Sequence, residues 1–365
     1  MINEIKRIFE LLQNPDFNIS IEEIRQKYGD TYLKSQDEIN KLTYEFYKNS
    51  KFIPKMTCMY PNCKGNAINS HSIQKALLTR LADETNHIIM FIKEFSHKNR
   101  PSAKAERIGI EKDATTFPGL CNFHDSQLFE EIEKKVIDIE DLYHHFLVSY
   151  RAVLKENYSK KSSHQRFKNL TEYALSNPTT DEFVISIMIA ITRSYFLGMS
   201  YTNDVKTLLD TSLLDKNYDS ELLFGGRITP KFLPLYLSSM FTPSYDFDGV
   251  NINNFNNPNE SPNYFILSIL PANSQTYVFY SMLKKQESKL GNIFQKLESL
   301  NDEDFLHYLS ELFLKYAENF VLSPYYWDKF SEDKKSLMLK FFNDTTHNPK
   351  IKYNPKLHNI FEFIE

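Results

Sequence analysis

The chain is poor in the residues that staple and punctuate a fold: three cysteines, nine glycines and one tryptophan in 365 residues. An odd number of cysteines cannot close a disulfide framework, and in an intracellular setting so few of them point to metal binding or free thiols. So little glycine argues against a glycine-rich barrel. The 14% aromatic share, carried mostly by 29 Phe and 22 Tyr, suggests aromatic-rich helical packing. Neither sign of charge dominates, since 43 Lys+Arg face 47 Asp+Glu for a formal net charge of −4. No global basic field therefore advertises nucleic acid, although local patches remain open. The opening "MINEIKRIFELLQNPDF" lacks the basic end, apolar run and small-residue cleavage site of a secretory leader. The most apolar stretch, "FVISIMIAITRSYFLGM" over 183–199, is interrupted by Arg193 and reads as a buried helix, not a membrane span. The expectation is a soluble, cytoplasmic protein with no membrane partner. No Ser/His/Asp signature, kinase set or dinucleotide fingerprint is present, and "LFGGR" reads as a turn.

The length allows two domains, or one large domain with an elaborated second half. Helical periodicity predicts helices over 3–14 and 20–49, the second opened by Ser20 with Glu23 in capping-box position. A helix over 72–82 follows, capped by Ser70, then a strand over 86–95 and an exposed polar loop through "SHKNRPSAKAERIGI". A helix over 125–135 has an acidic start and a basic end. Residues 138–176 read as a helix pair with a basic junction at Lys160 and Lys161, and 181–210 as one buried helix. "ELLFGGRITP", "NYFILSILP" and "QTYVFYSML" read as antiparallel strands, and 287–365 returns to helices with N-cap serines Ser323 and Ser331. The fold class is mainly α with a small antiparallel β-sheet (α+β). It divides into N-terminal helices (1–49), a zinc-stapled module (50–135) and a helical domain (136–365) with strands inserted around 220–285.

All three cysteines lie near histidines. Cys58 and Cys63 flank a Pro-Asn turn, and Cys121 is followed three positions later by His124. Structural zinc takes four N or S ligands in a tetrahedron, commonly as two close pairs, so Cys58, Cys63, Cys121 and His124 form a candidate Cys₃His set. Binding would pin two segments about sixty positions apart. The plainer alternative is three buried cysteines acting as small hydrophobes. His71 is open to three roles: a hydrogen-bonded support of the metal loop, a ligand in place of His124, or a catalytic base. Lys75 would suit a phosphate contact or a solvated helix face, and Asp125 would also complement a helix dipole. The run "ENYSKKSSHQRFK" over 156–168 could touch phosphates, but a charge run is most often a solvated face. His144 and His145, adjacent on a helix, point about 100° apart and serve one ion poorly.

The layout from 58 to 135, with its first cysteine pair, the "SHSIQK" segment and "FPGLCNFHDSQLF", resembles the HNH nucleases of the ββα-metal class on a treble-clef-like frame. It is also similar to uncharacterised bacterial proteins that share a Cys pair, a Ser-His and a Cys-x₂-His-Asp. The HNH resemblance implies His71 as general base and Asp125 at the position of the family's metal ligand. It also implies a structural Zn²⁺, a catalytic Mg²⁺ or Mn²⁺, and nucleic acid as partner, conceivably in bacterial defence. The rival expectation is a non-enzymatic, zinc-stapled binding module whose carboxyl-terminal half recognises a protein or a small-molecule ligand.

Overall fold

The computed structural model describes residues 30, 34–46, 56–94, 102–111, 114–255, 257, 260–272 and 274–364. The helix expected over 3–14 and the capping box at Ser20 lie outside the described residues, while 34–46 are helical as expected. In chain order the strands are β1 (Asn69–His71), β2 (His87–Glu94), β3 (Ser102–Gly109), β4 (Thr116–Pro118), β5 (Leu222–Thr229), β6 (Leu235–Phe241), β7 (Phe265–Ala272), β8 (Gln275–Leu283) and β9 (Phe320–Leu322). The helices are α1 (Lys75–Leu81), α2 (Asn122–Lys134), α3 (Leu142–Ser176), α4 (Glu182–Leu214), α5 (Glu287–Ser299), α6 (Asp302–Tyr316), α7 (Pro324–Trp327), α8 (Glu332–His347) and α9 (Pro355–His358). The α+β class holds, with helix outweighing antiparallel strand.

Seven strands form one antiparallel sheet in the order β3-β2-β9-β6-β7-β8-β5. Side chains alternate across a strand, and the inner strands bury both faces. Leu235, Leu237, Phe265, Leu267, Ile269, Val278, Tyr280 and Met282 pack on one side with α5, α6 and α8. Met240, Ile266 and Phe279 pack on the other with Phe146, Tyr150 and Val153 of α3 and Leu209 of α4. The sheet is thus a middle layer between helices, larger than the expectation of three strands around 220–285. It also draws in β2 and β3 from the stretch between the two ligand pairs.

Four local expectations change. The "SHKNRPSAKAERIGI" loop contains β3, an edge strand that pairs with β2 from Ser102↔Glu94 to Gly109↔His87. Its polarity is that of an edge: Ala103 and Ala105 face the core, while Lys104 pairs with Glu94 and Glu106 on the open side. "LFGGR" is no turn but part of β5, where a β-carbon on Gly225 would run into the rings of Tyr280 and Phe294. The pair expected over 138–176 is one continuous helix, α3, about 52 Å long at 1.5 Å per residue. No Gly or Pro interrupts it, and Lys160 is held by Glu156 one turn back instead of forming a junction. Ser70 does not cap a helix at 72: it lies in β1 opposite Phe117, and α1 begins at Lys75. Ser72 is tied elsewhere, its hydroxyl donating to Thr115 O and Asn319 Oδ1.

Helix α4 contains the apolar stretch and is long and apolar enough to cross a membrane by length and composition. It packs along α3, burying Val184, Ile187 and Met188 with Leu170 and Ala174, and Arg193 is buried on the same helix. Its start is fixed by Asp181, which accepts from the backbone of Phe183 and Val184. His144 and His145 have structural partners: His144 Nδ1 accepts from the Asp138 backbone, and His145 Nε2 meets Ile139 O at 2.6 Å.

Candidate metal centre

Residues 57–66 form a tight loop closed by the Thr57↔Asn66 bridge. Within it Cys63 N donates to Tyr60 O, with Pro61 and Asn62 between them. Asn62 has φ 61°, and Pro followed by a left-handed Asn is the pattern of a type II turn. Cys58 N donates to Gly65 O at 2.7 Å, which brings the two cysteines to one end of the loop. The loop is stitched to the second segment by Met59 N to Gly119 O and Ile68 N to Leu120 O, and β1 pairs with β4 directly beyond. That pairing delivers Cys121 and the first turn of α2 to the two loop cysteines.

The donor atoms of Cys58, Cys63, Cys121 and His124 all lie within 4.8 Å of one another. A tetrahedral zinc with Zn–S near 2.3 Å and Zn–N near 2.0 Å sets sulfur–nitrogen edges of roughly 3.5 Å. His124 Nδ1 lies 3.5 Å from Cys58 Sγ and 3.3 Å from Cys121 Sγ, so the set fits such an ion. Around it the backbone turns N–H groups toward sulfur: Cys121 N donates to Cys58 Sγ at 3.1 Å and Gly65 N to Cys63 Sγ at 3.4 Å. The His124 ring stacks on Tyr60, centroids 3.9 Å apart, which fixes its plane. Burial pushes the Cys58 thiol up to about 11, whereas a backbone bond from His124 draws the Cys121 thiol down. A divalent ion binds the thiolate form and offsets the cost at Cys58. The Cys₃His group could therefore hold a metal ion such as zinc.

His71 closes β1, opposite Thr116 of β4. Burial lowers its pKa, with the Ile110 backbone pulling the other way, and Nε2 is buried with no hydrogen-bond partner among the described residues. Asp125 sits in the first turn of α2, its carboxyl raised by burial and drawn back by Arg151, Ser70 and His71. The Ser70 hydroxyl is near enough to act on that carboxyl but meets no partner at hydrogen-bonding distance and angle. Arg151, from α3, lays its guanidinium 3.8 Å from the centre of the Phe129 ring and pairs with Glu133, yet its Nε also lacks a partner. Ser70, His71, Asp125 and Arg151 thus form a second polar cluster against the Cys₃His group, with three orphaned buried atoms.

Arg151 was not legible as a site residue, because it reaches the cluster from a helix that begins beyond the second ligand pair. An arginine amid the apolar run "FLVSYRAVL" was the available signal. Lys75 is exposed and pairs with Glu111 at 2.6 Å, and its charge also bears on His71. No family model, curated protein or solved structure matches this chain.

Proposed function

We propose that the module is a zinc-stapled, HNH-like metal-dependent nuclease. The observation that carries the reading is the set of orphaned buried atoms, Ser70 Oγ, His71 Nε2 and Arg151 Nε, gathered around Asp125. Buried polar atoms without partners are rare and call for a ligand, water or ion. Loop 57–66, the β1–β4 pair and α2 would make a treble-clef-like frame with α1, β2 and β3 inserted between β1 and β4, and a Cys₃His zinc would be its staple. That zinc has four protein ligands and no open position, so it does not take part in the reaction. A second divalent ion, Mg²⁺ or Mn²⁺, would be held by Asp125 and would supply charge neutralisation at the scissile phosphate. His71 is neutral at pH 7 because burial lowers its pKa, which leaves Nε2 free to take a proton from the attacking water. Arg151 supplies a fixed positive charge beside the phosphate, oriented by Glu133 and Phe129.

The test is cleavage of DNA and RNA by purified protein with Mg²⁺ or Mn²⁺. His71→Ala is expected to keep its zinc and melting temperature and to lose about 10²- to 10⁴-fold in rate. A wild-type protein that cleaves neither nucleic acid overturns the reading. The second reading, a non-enzymatic binding module, draws support from a cavity of about 700 Å³ between the sheet and the helices, whose lining does not include His71.

A further inference from the structure

One turn beyond Arg151, helix α3 carries Lys155 onto the wall of a separate cavity of about 230 Å³, between α3 and strand β6. The charged residues on that wall are Lys155, Glu156 and Glu318. Glu318 is exposed and forms the solvent-facing edge of the space. Ser159 of α3 and Ser238 of β6 also line it, and their hydroxyls have no hydrogen-bond partner among the described residues.

The Lys155 amine makes no ion pair and no hydrogen bond among the described residues. Its nearest company is two rings, with Nζ 5.4 Å from the Phe117 centroid and 5.8 Å from that of Tyr158. Glu156 and Glu318 favour its charged form from a distance, but Glu156 is already held by Lys160 at 3.0 Å. Burial outweighs both carboxylates and brings Lys155 down to about 8. At pH 7 it therefore holds roughly 10²-fold more free amine than an ordinary lysine. Lys161 is also drawn down by burial, yet it is not on the wall of this cavity. A desolvated lysine of this kind, standing unpaired in a space that admits small molecules, is a nucleophile for carbonyl carbon.

We propose that Lys155 forms an iminium with a small, neutral hydroxyaldehyde or hydroxyketone that enters this cavity. The inference is independent of the nuclease and of the metal centre. The lone pair of the free amine attacks the carbonyl carbon, a C–N bond forms, and the carbonyl π pair moves to oxygen, which takes a proton. With a second proton that oxygen leaves as water, and C=N forms with one hydrogen left on nitrogen. Counted from the ammonium, R–NH₃⁺ and the carbonyl compound give R–NH⁺=C and water, with no oxidant, reductant or net proton required. Charge selects the substrate class. The nitrogen side keeps one positive charge throughout, so Glu156 and Glu318 face the same sign before and after the step. A carbonyl compound bearing a carboxylate or phosphate would set an anion against both of them. The hydroxyls of the substrate have Ser159 and Ser238 to pair with. At about 30 Å³ per water, the space holds several waters or a three-carbon compound in their place.

The test incubates the full chain at pH 7 with dihydroxyacetone or glyceraldehyde and sodium cyanoborohydride, which reduces the iminium to a stable amine. Peptide mass mapping then locates the labelled lysine. Lys155 is expected to be labelled about tenfold or more faster than any other lysine, in keeping with its larger share of free amine. Mapping the wild type needs no variant to fold, and Lys155→Arg should remove the fast label while leaving the slow labelling of exposed lysines unchanged. With pyruvate, the preference for Lys155 over exposed lysines should fall about tenfold, because its carboxylate meets Glu156 and Glu318. Bulky 2-naphthaldehyde should lose the preference altogether. Labelling that falls first on Lys161, or spreads evenly over the exposed lysines, overturns the proposal. An undiminished preference with pyruvate overturns the charge argument and with it the substrate class.

Discussion

The sheet layer and the segment around Cys58 share an apolar core, in which Met59, Phe117, Leu120 and Phe129 pack with Phe146 and Val153, but the segment adds a second kind of contact. The sheet and its helices bury dense apolar layers on both faces, from Leu237 and Leu267 on one side to Phe146 and Val153 on the other. The module around Cys58 gathers four soft donors on a loop, a two-stranded ribbon of three pairs and one helix start. A core of the first kind tolerates the loss of one side chain at a graded cost; a site of the second kind is all or none, because each ligand is a quarter of the coordination shell. The difference teaches where a single substitution is decisive.

Cys121→Ser should give the largest effect. Structural zinc contributes on the order of 10 kcal/mol to ordering the segments it joins, so bound metal should be lost and calorimetry should show the module unfolding first. A strong chelator should reproduce this in the wild type. Leu237→Ala, at a fully buried position of the central strand β6, should cost about 2–5 kcal/mol in chemical denaturation. Its metal content should stay unchanged, and a variant that lost zinc would merge the two regions into one cooperative unit.

Acid sharpens the contrast. His358 is buried against Phe341, accepts from Asn354 N through Nδ1, and has its pKa lowered by burial and then by Lys334. A depressed folded pKa means that its contribution is present above the ordinary histidine value near 6.5 and is lost as pH falls through the folded value. The stability advantage of wild type over His358→Gln should therefore shrink between pH 7.5 and 5.5, read in the metal-depleted protein so that ligand protonation does not contribute. The smallest effect is expected for Ser331→Ala. Ser331 accepts from Lys334 N at the start of α8, and its loss should cost about 1 kcal/mol with no change at the metal centre.

Legibility in the sequence followed the same divide. The ligand pairs Cys58/Cys63 and Cys121/His124 stood out because the spacing within each pair is local. So did β5, β7 and β8, as short apolar runs bounded by Gly, Pro, Asn and Ser. Strand β6 was missed because "LYLSSMF" places Ser238 and Ser239 at its centre and follows a proline. Strand β3 was missed because an edge needs few apolar residues. At Ser331 the N-cap reading was right in chemistry as well as position, whereas Ser323 precedes α7 without a side-chain cap bond.

X-ray absorption at the zinc edge on the purified protein addresses the centre of the account. One zinc per chain with three sulfurs near 2.3 Å and one nitrogen near 2.0 Å is the predicted spectrum. A protein without bound metal, or a shell of oxygen and nitrogen alone, would contradict it.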